Sequence, residues 1–422
     1  MSESTASPTS AVNSSASGFT NVPPDHRTAG DPVASRPAGR AQALVLLSSS
    51  CLSVLGAVLL APVLPAIQEA FAGTAGVAAL APIVLTAPAL MIGLTAPIAG
   101  RVLERTGRKR LLVVALLAYG VFGTAPLWLP SLELIVASRV LVGVTEAAIM
   151  TCCTTLLADY FHGPQRERYF GLQTVCTTVA ATLFFALGGL LGAQGWRTPF
   201  WLYAASLPLA LLAVRYLWEP SERRGSAGTR QVRPPWRRLA VPLGVTLAGG
   251  LVFYTLIVEL SYVLDGIGVE SSATIGLISA VASLATAVGA FVFPRLAHRG
   301  PRVTVPLAFL LSGTGLTGLA FASSTVWVII GAVVAGLGNG LLLPALVTWA
   351  LGALTFSERG RATGVWTAAL FIGQFTCPLL VLALSDAISG LSSALVVIGV
   401  LAVALSLTTR VVRTTSATTD RS

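Results

Sequence analysis

Apolar segments of about 20 residues recur along the chain from Ala43 onward, separated by short polar breaks. An α-helix rises about 1.5 Å per residue, so each segment is long enough to cross the roughly 30 Å hydrocarbon core of a bilayer. Charged residues make up only 10% of the 422 residues, too few to give a protein of this size a polar surface. The pattern predicts an all-α membrane protein whose outer surface mostly faces lipid.

We count twelve such apolar segments. We place the predicted spans at 43–67, 79–99, 111–130, 133–158, 170–193, 199–218, 240–264, 273–294, 303–323, 325–350, 362–385 and 389–409. The fifth and sixth spans run almost together, as do the ninth and tenth, so eleven or thirteen spans are the alternatives.

One long hydrophilic break divides this region into two halves. Residues 219–239 contain a run of arginines and prolines, which is typical of a solvated linker rather than a folded domain. The break predicts two six-helix bundles, 42–218 and 240–409, joined by a cytoplasmic linker. Residues 1–41, rich in Ser, Thr, Ala, Pro and Gly, predict a disordered cytoplasmic tail, and residues 410–422 predict a second tail.

The positions of the basic residues predict the orientation. If the N-terminus is cytoplasmic, all of the 27 lysines and arginines except Arg139 and Arg197 fall on the cytoplasmic side of the twelve spans. Such a bias is typical of membrane proteins. It predicts an inner (plasma) membrane protein with both ends in the cytoplasm. The net charge of +10 is therefore expected to face anionic lipid headgroups rather than nucleic acid. The strong preference for Arg over Lys, together with the Ala and Gly richness, indicates a bacterial origin.

The break between spans two and three carries a distinctive pattern of glycines, an acid and a basic cluster. It reads Gly100-Arg-Val-Leu-Glu104-Arg105-Thr-Gly107-Arg108-Lys-Arg. A glycine permits close approach of helices, an acid can engage a facing helix N-terminus, and the bases hold the loop at the cytoplasmic side. A simple positive-inside turn is the alternative, but such a turn needs neither the glycines nor the acid.

This loop resembles the signature loop of the major facilitator superfamily, with Glu104 where aspartate is usual. A degenerate repeat of this loop follows span eight, from Gly289 to Arg302, as a fold built from two related halves would predict. The resemblance covers residues 43 to 409. It implies a secondary transporter of two six-helix bundles, and a gating role for Gly100, Glu104, Arg105, Gly107 and Arg108.

Two further segments bear on a resemblance to the drug–proton antiporter branch of that family. Span four carries Arg139, Gly143 and Glu146, which are similar to the family's second motif. Span five departs from the antiporter pattern, because phenylalanines occupy the Gly-Pro positions upstream of Gly188 and Gly189. The antiporter assignment therefore has weaker support than the superfamily itself.

Charged side chains inside a membrane are costly and usually mark function. Glu146 lies near the middle of span four, and Arg139 shares its helical face about 10 Å nearer the outside. Burial disfavours the charged carboxylate and a nearby guanidinium favours it, which suits a residue that gains and loses a proton. The alternative is a fixed Arg139–Glu146 pair that never titrates. Glu259 in span seven is a second proton-coupling candidate, with an interfacial position as its alternative.

Uncharged polar side chains in the spans are candidate substrate contacts, because a polar group in a helical bundle lines a cavity or bonds a neighbouring helix. These residues are Tyr254, Asn339, Trp366 and Gln374, each with simple packing as the alternative.

Other classes of chemistry find no support. The chain has no Walker phosphate-binding loop, so ATP is not the expected direct energy source. The five cysteines lie in apolar stretches without metal-binding spacing, and no catalytic triad can be assembled. We expect no enzyme activity, metal or cofactor.

Three functions remain open from the sequence. The first is proton-coupled efflux of small amphipathic or hydrophobic compounds by alternating access, by a monomer whose partners are its small-molecule substrate, protons and lipid. The second is an uptake symporter for an organic anion, with Arg139 binding the carboxylate. The third is a membrane sensor on the same fold that transports nothing.

Overall fold

The computed structural model describes residues 38–220, 236–352, 354, 356–388 and 390–411. All regular elements in these ranges are helical, and twelve helical segments are long and apolar enough to cross a membrane. They are α1 (Arg40–Ala70), α2 (Val77–Thr95), α3 (Arg108–Leu127), α4 (Leu132–Tyr160), α5 (Gly163–Gly192), α6 (Thr198–Tyr216), α7 (Arg238–Gly266), α8 (Ser272–Ala297), α9 (Pro301–Ala320), α10 (Thr325–Gly352), α11 (Arg361–Ile388) and α12 (Leu391–Arg410). The predicted all-α fold with twelve transmembrane helices is confirmed.

Several helices extend beyond the predicted apolar spans. The largest difference is α5, which begins at Gly163 rather than at residue 170. Its first two turns are polar and contain Pro164, whose fixed φ and missing N–H suit the start of a helix. The helical segments of α7 and α11 likewise begin before their apolar parts, at Trp236 and Phe356. Hydropathy detects only the part of a helix that lies in the hydrocarbon.

The two membrane sides differ in charge. Odd-numbered helices begin, and even-numbered helices end, on a side that carries the cluster Arg108, Lys109 and Arg110 as well as Arg166 and Arg295. We call this the basic side. A short additional helix, Ala99–Thr106, connects α2 to α3 there.

Helices α1–α6 pack mainly on one another, and so do α7–α12. The two sets meet along two seams, α2 with α11 and α5 with α8. A compact unit that begins at Ala38 contains both sets. The predicted bundle boundaries at 42–218 and 240–409 stay a prediction, and residues 1–37, 221–235 and 412–422 of the predicted tails and linker lie outside the described residues.

Glycines permit the closest approach at one seam. A Cβ atom placed on Gly189 of α5 would lie 2.7 Å from the Cα atom of Gly276 on α8, which no side chain could tolerate without movement. Close backbone contact of this kind is typical of membrane helices, where small residues at the interface increase dispersion contacts. The crossing lies near the side opposite the basic side, because Gly189 is close to the end of α5.

Candidate functional site

A central cavity of about 540 Å³ lies between the two sets of helices. Residues from α1, α2, α4, α5, α7, α8, α10 and α11 line it, and most of them are aliphatic, aromatic or hydroxyl-bearing. The size is in the range of small-molecule sites. Glu146 is the only side chain with a formal charge among the described residues that line the cavity.

Glu146 is almost completely buried at the cavity wall, with 1% of its surface exposed. Its Oε2 atom has no hydrogen-bond partner within the described part of the chain. The carboxyl group packs directly on α1, where a Cβ atom on Gly56 would lie 2.5 Å from Oε2. One turn earlier on α4, Gly143 packs on the backbone of Pro88 in α2. These contacts place a carboxyl group in the cavity wall, with its Oε2 atom buried and unpartnered within the described residues.

Arg139 is completely buried behind the cavity and does not line it. Its Nε atom donates to the carbonyl of Val84 at 3.2 Å, and its Nη2 atom donates to the hydroxyl of Tyr203 at 2.7 Å. The guanidinium also lies 4.8 Å from the centre of the Tyr203 ring. Between the described side chains of Arg139 and Glu146 there is no ion pair within 4.0 Å, so the fixed pair weighed above does not form.

Glu259, the second predicted coupling residue, is also buried but lies outside the cavity lining. In the described residues its carboxyl group makes no hydrogen bond or ion pair. One turn before it on α7, the Thr255 hydroxyl lies 3.3 Å from the Cys377 sulfur of α11. Only 6% of the residue is exposed, so protein encloses the carboxyl group. The interfacial placement weighed above stays an alternative, because burial by protein does not fix the depth of a residue in the bilayer.

Three of the four predicted substrate contacts line the cavity: Tyr254, Asn339 and Gln374. Tyr254 donates to the carbonyl of Ala57 at 2.8 Å and so joins α7 to α1. Trp366 is not brought to the cavity. Its indole packs against the hydrophobic core, with Nε1 buried and unpartnered within the described residues.

Asn339 also has a packing role. Its amide nitrogen donates to the carbonyl of Phe253 at 3.1 Å, and its amide oxygen accepts a bond from Ser312 at 3.0 Å. The amide therefore ties α10 to α7 and α9 as well as facing the cavity. For Gln374 the described residues offer no hydrogen-bond partner, so its amide is free to contact a solute.

The loop between α2 and α3 turns at Gly107, which has φ 81° and ψ 145°. A residue with a side chain would be strained in this conformation. Arg108 begins α3 and pairs with Asp159 at the end of α4. Arg105 is exposed, Gly100 lies in the short helix Ala99–Thr106, and the Glu104 side chain lies outside what the structure describes.

Comparison with known proteins assigns the family. The sequence profile of the Major Facilitator Superfamily matches residues 46–270 and 243–421. The chain belongs to this superfamily. It is a multi-pass membrane transporter and not an enzyme, and the predicted likeness to the drug–proton antiporter branch is confirmed by its relatives.

The relatives of this superfamily member are described by different activities. It is 28% identical to the class C tetracycline resistance protein of Escherichia coli over 81% of this chain and 89% of that protein. It is 30% identical to the 3-(3-hydroxy-phenyl)propionate transporter of Escherichia coli (strain K12), over 67% and 72%. The crystal structure of a D-xylose–proton symporter has the same fold, with a TM-score of 0.72 at 14% identity over 88% and 97% of the two chains.

Residues outside the signature loop also hold the start of α3, and the motif could not reveal them. The Glu219 carboxylate accepts hydrogen bonds from the backbone nitrogens of Arg108 at 2.6 Å and Lys109 at 3.0 Å, and so caps α3. Next to it, the backbone of Trp218 exchanges hydrogen bonds with the Tyr160 hydroxyl. The one sequence signal for this contact is that an acid, Glu219, directly follows the last span of the first half. Its partners, Arg108 and Lys109, lie more than a hundred residues earlier in the chain.

Proposed function

We propose that this transporter exports small amphipathic or hydrophobic compounds by alternating access and couples the export to protons. The observation that carries the proposal is the central cavity. Its lining is mostly apolar, and its one formal charge among the described residues is the buried carboxyl group of Glu146. Such a lining suits compounds that partition into membranes better than sugars or phosphates, which need several polar or cationic anchors.

Glu146 is the proposed proton-binding residue. It lines the cavity, and its Oε2 atom is buried without a hydrogen-bond partner within the described residues, so a proton that binds there displaces no protein group. Arg139 is its proposed electrostatic partner. It is held in place by Val84 and Tyr203 and acts across a gap rather than by contact. Glu259 is the second candidate for the coupling role.

The signature loop is the proposed gate on the basic side. Gly100, Glu104, Arg105, Gly107 and Arg108 are the residues that we assign to it. The ion pair from α3 to α4 and the capping of α3 by the acid that follows α6 support this assignment, because they tie three helices together at one membrane face. A rearrangement of that face between transport states would have to break these bonds or move the bonded helices together.

An uptake symporter for an organic anion is the second candidate, and the relationship to the 3-(3-hydroxy-phenyl)propionate transporter favours it. In that case a cation should meet the substrate carboxylate. Arg139 does not line the cavity, and two of its nitrogens are already bonded to Val84 and Tyr203. The relationship to a tetracycline resistance protein and the lining of the cavity favour efflux.

The proposed location is the inner (plasma) membrane of a bacterium, with the basic side and both chain ends in the cytoplasm and the protein acting as a monomer. Membrane-impermeant labelling of single introduced cysteines tests the orientation. Residues 219–238 should react only from the cytoplasmic face. Labelling from the other face would refute the orientation.

Transport into proteoliposomes with an imposed pH gradient tests the function. A panel of cationic, neutral and anionic aromatic compounds should show gradient-driven movement of cationic or neutral amphiphiles, accompanied by a counter-flow of protons reported by a pH-sensitive dye. Movement of aromatic carboxylates together with protons would instead establish the symporter. No movement of any compound would favour the membrane sensor.

A further inference from the structure

A row of threonine hydroxyl groups lines part of the central cavity. On α5, Thr174, Thr177 and Thr178 share one helical face, and Thr286 of α8 also lines the cavity. We call these four residues the hydroxyl row. Thr178 and Thr286 lie near the middle of their helices, as Glu146 does on α4. The row is therefore expected at a similar depth in the bilayer to the carboxyl group.

Each hydroxyl group of the row already donates its only hydrogen to the backbone of its own helix. Thr178 donates to the carbonyl of Thr174 at 2.8 Å, and Thr286 donates to the carbonyl of Ala282 at 3.0 Å. The other two threonines donate to the carbonyls four positions earlier, at 2.9 Å and 3.2 Å. A hydroxyl group has one hydrogen and two lone pairs. The row therefore presents acceptor lone pairs, and not hydrogens, to the cavity.

These intrahelical bonds decide which kind of solute gains from the row. A solute that accepts a hydrogen bond has to take the hydrogen from a backbone carbonyl, so one bond replaces another with little net gain. A solute that donates adds a bond and breaks none within the protein. Each added bond should tighten binding about fivefold. The row thus favours solutes that carry N–H or O–H groups.

The remaining polar groups of the lining leave few donors for a solute. The ionised carboxylate of Glu146 is a further acceptor. On α7 and α10, the Tyr254 hydroxyl group and one amide hydrogen of Asn339 are donated to backbone carbonyls. Among the described lining residues, free side-chain donors remain on Ser279, on Gln374 and at the second amide hydrogen of Asn339. Acceptors therefore predominate around the hydroxyl row and Glu146.

We propose that the hydroxyl row is a substrate subsite that accepts hydrogen bonds from the N–H or O–H groups of an amphiphile. It selects protonated amines and phenols over quaternary ammonium ions, which have a charge but no donor. The charge of Glu146 attracts both kinds of cation, so the row supplies a preference that charge alone does not. This inference rests on the proposed efflux function and specifies the chemistry of the substrate.

Two rhodamine cations separate donor recognition from charge. Rhodamine 6G carries N–H groups on its xanthene ring, whereas tetramethylrhodamine ethyl ester has none, and the two dyes have the same charge and a similar size. Fluorescence polarisation with the purified full-length protein should show that rhodamine 6G binds more tightly, on the order of tenfold. Equal affinities for the two dyes, or binding of neither, would overturn the proposal.

Substitution of Thr178 tests whether the row causes this preference. Thr178→Val replaces the acceptor oxygen with a methyl group and should weaken binding of rhodamine 6G about fivefold. Binding of tetramethylrhodamine ethyl ester should not weaken, which also reports that the cavity is still folded. Thr178→Ser retains the oxygen and should bind rhodamine 6G much as the wild type does. An equal loss for both dyes in Thr178→Val would refute the subsite.

A matched control uses a threonine outside the cavity. Thr314 of α9 donates to the carbonyl four positions earlier at 2.8 Å, as the row does, but it does not line the cavity. Thr314→Val should leave the affinities for both dyes unchanged. A selective loss of rhodamine 6G binding in this variant would show that the effect does not come from the cavity, and would refute the subsite.

Transport in proteoliposomes separates this inference from the proposed function. With an imposed pH gradient, rhodamine 6G should have a lower KM than tetramethylrhodamine ethyl ester, and Thr178→Val should reduce that difference. Preferential binding of rhodamine 6G without any gradient-driven transport would refute the efflux function and leave the subsite standing. Transport of both dyes with equal KM values would refute the subsite and leave the efflux function standing.

Discussion

Replacing Gly56 with alanine places a methyl group against the carboxyl group of Glu146. The added carbon would lie 2.5 Å from Oε2 and 3.2 Å from Cδ of the glutamate. Real Cβ atoms essentially never come closer than 3.0 Å to another heavy atom, so the two groups must separate by at least 0.5 Å. The glutamate is at the cavity surface, so its side chain is the part that can move.

Two opposing free-energy terms set the size of the effect. Alanine in place of glycine stabilises a helix interior by about 1 kcal/mol. Overpacking in a tight interior costs about 1 to 3 kcal/mol. The free energy of unfolding should therefore change by at most about 2 kcal/mol, while the position of the carboxyl group changes in every molecule. If that position sets proton binding, proton-driven transport should fall roughly tenfold, the factor that about 1.4 kcal/mol produces.

The assay is the initial rate of dye transport driven by a pH gradient in proteoliposomes, per amount of reconstituted protein. Gly171→Ala is the matched control, because it makes the same change in α5 with no atom within 4 Å of the new carbon. It should keep the wild-type rate. Thermal unfolding in detergent then separates loss of function from loss of fold.

A second substitution tests the steric reasoning directly. Aspartate is shorter than glutamate by one methylene group, so Glu146→Asp in the Gly56→Ala background should relieve the collision and restore part of the rate. The two substitutions should therefore couple in a double-mutant cycle. A wild-type rate in Gly56→Ala alone, or additive losses in the double variant, would show that contact between α1 and Glu146 does not set the coupling.

Three further variants probe the same machinery. Glu146→Gln should abolish the proton flux that accompanies transport, measured with a pH-sensitive dye, because an amide cannot change its charge. Exchange of labelled substrate should remain. An undiminished proton flux would assign the coupling role to Glu259. Tyr203→Phe removes an acceptor from the buried guanidinium of Arg139 and should lower the free energy of unfolding by about 1 to 3 kcal/mol, measured by thermal unfolding, whereas an unchanged stability would mean that water or another group takes its place. Gly107→Leu forces a side chain into a positive-φ turn and should cripple transport without preventing membrane insertion, whereas normal transport would reduce the loop to a topological anchor.

The helices and the two embedded acids could be predicted because their signals are local. A run of apolar residues must cross the bilayer as a helix, since its backbone groups have no other partners in hydrocarbon. A glutamate near the middle of such a run, as at position 146, has to face the protein interior. The structure buries both Glu146 and Glu259 accordingly. Local patterns did not tell which of them lines the cavity.

Contacts between distant segments escaped prediction. Arg139 could be assigned as the partner of Glu146 because both lie on one helical face, but its actual bonds go to Val84 on α2 and Tyr203 on α6. Gly56 shares no motif with Glu146. Trp366 lies at helical spacing with Gln374, yet packing turns it away from the cavity. Spacing along one helix constrains direction only relative to that helix, and the neighbours decide what each face meets.

The sequence by itself determined that this chain is an all-α membrane protein of about twelve spans with an acid in its interior, because the cost of exposing charges and backbone groups to lipid acts on each segment separately. The resemblance of its signature loop indicated the Major Facilitator Superfamily. Only the tertiary structure decided which polar groups share the cavity, how the guanidinium of Arg139 is held, and where the two sets of helices are in backbone contact. Those features depend on how closely glycines on different helices let two backbones approach, as at Gly189 and Gly276, and a hydropathy pattern carries no information on that distance.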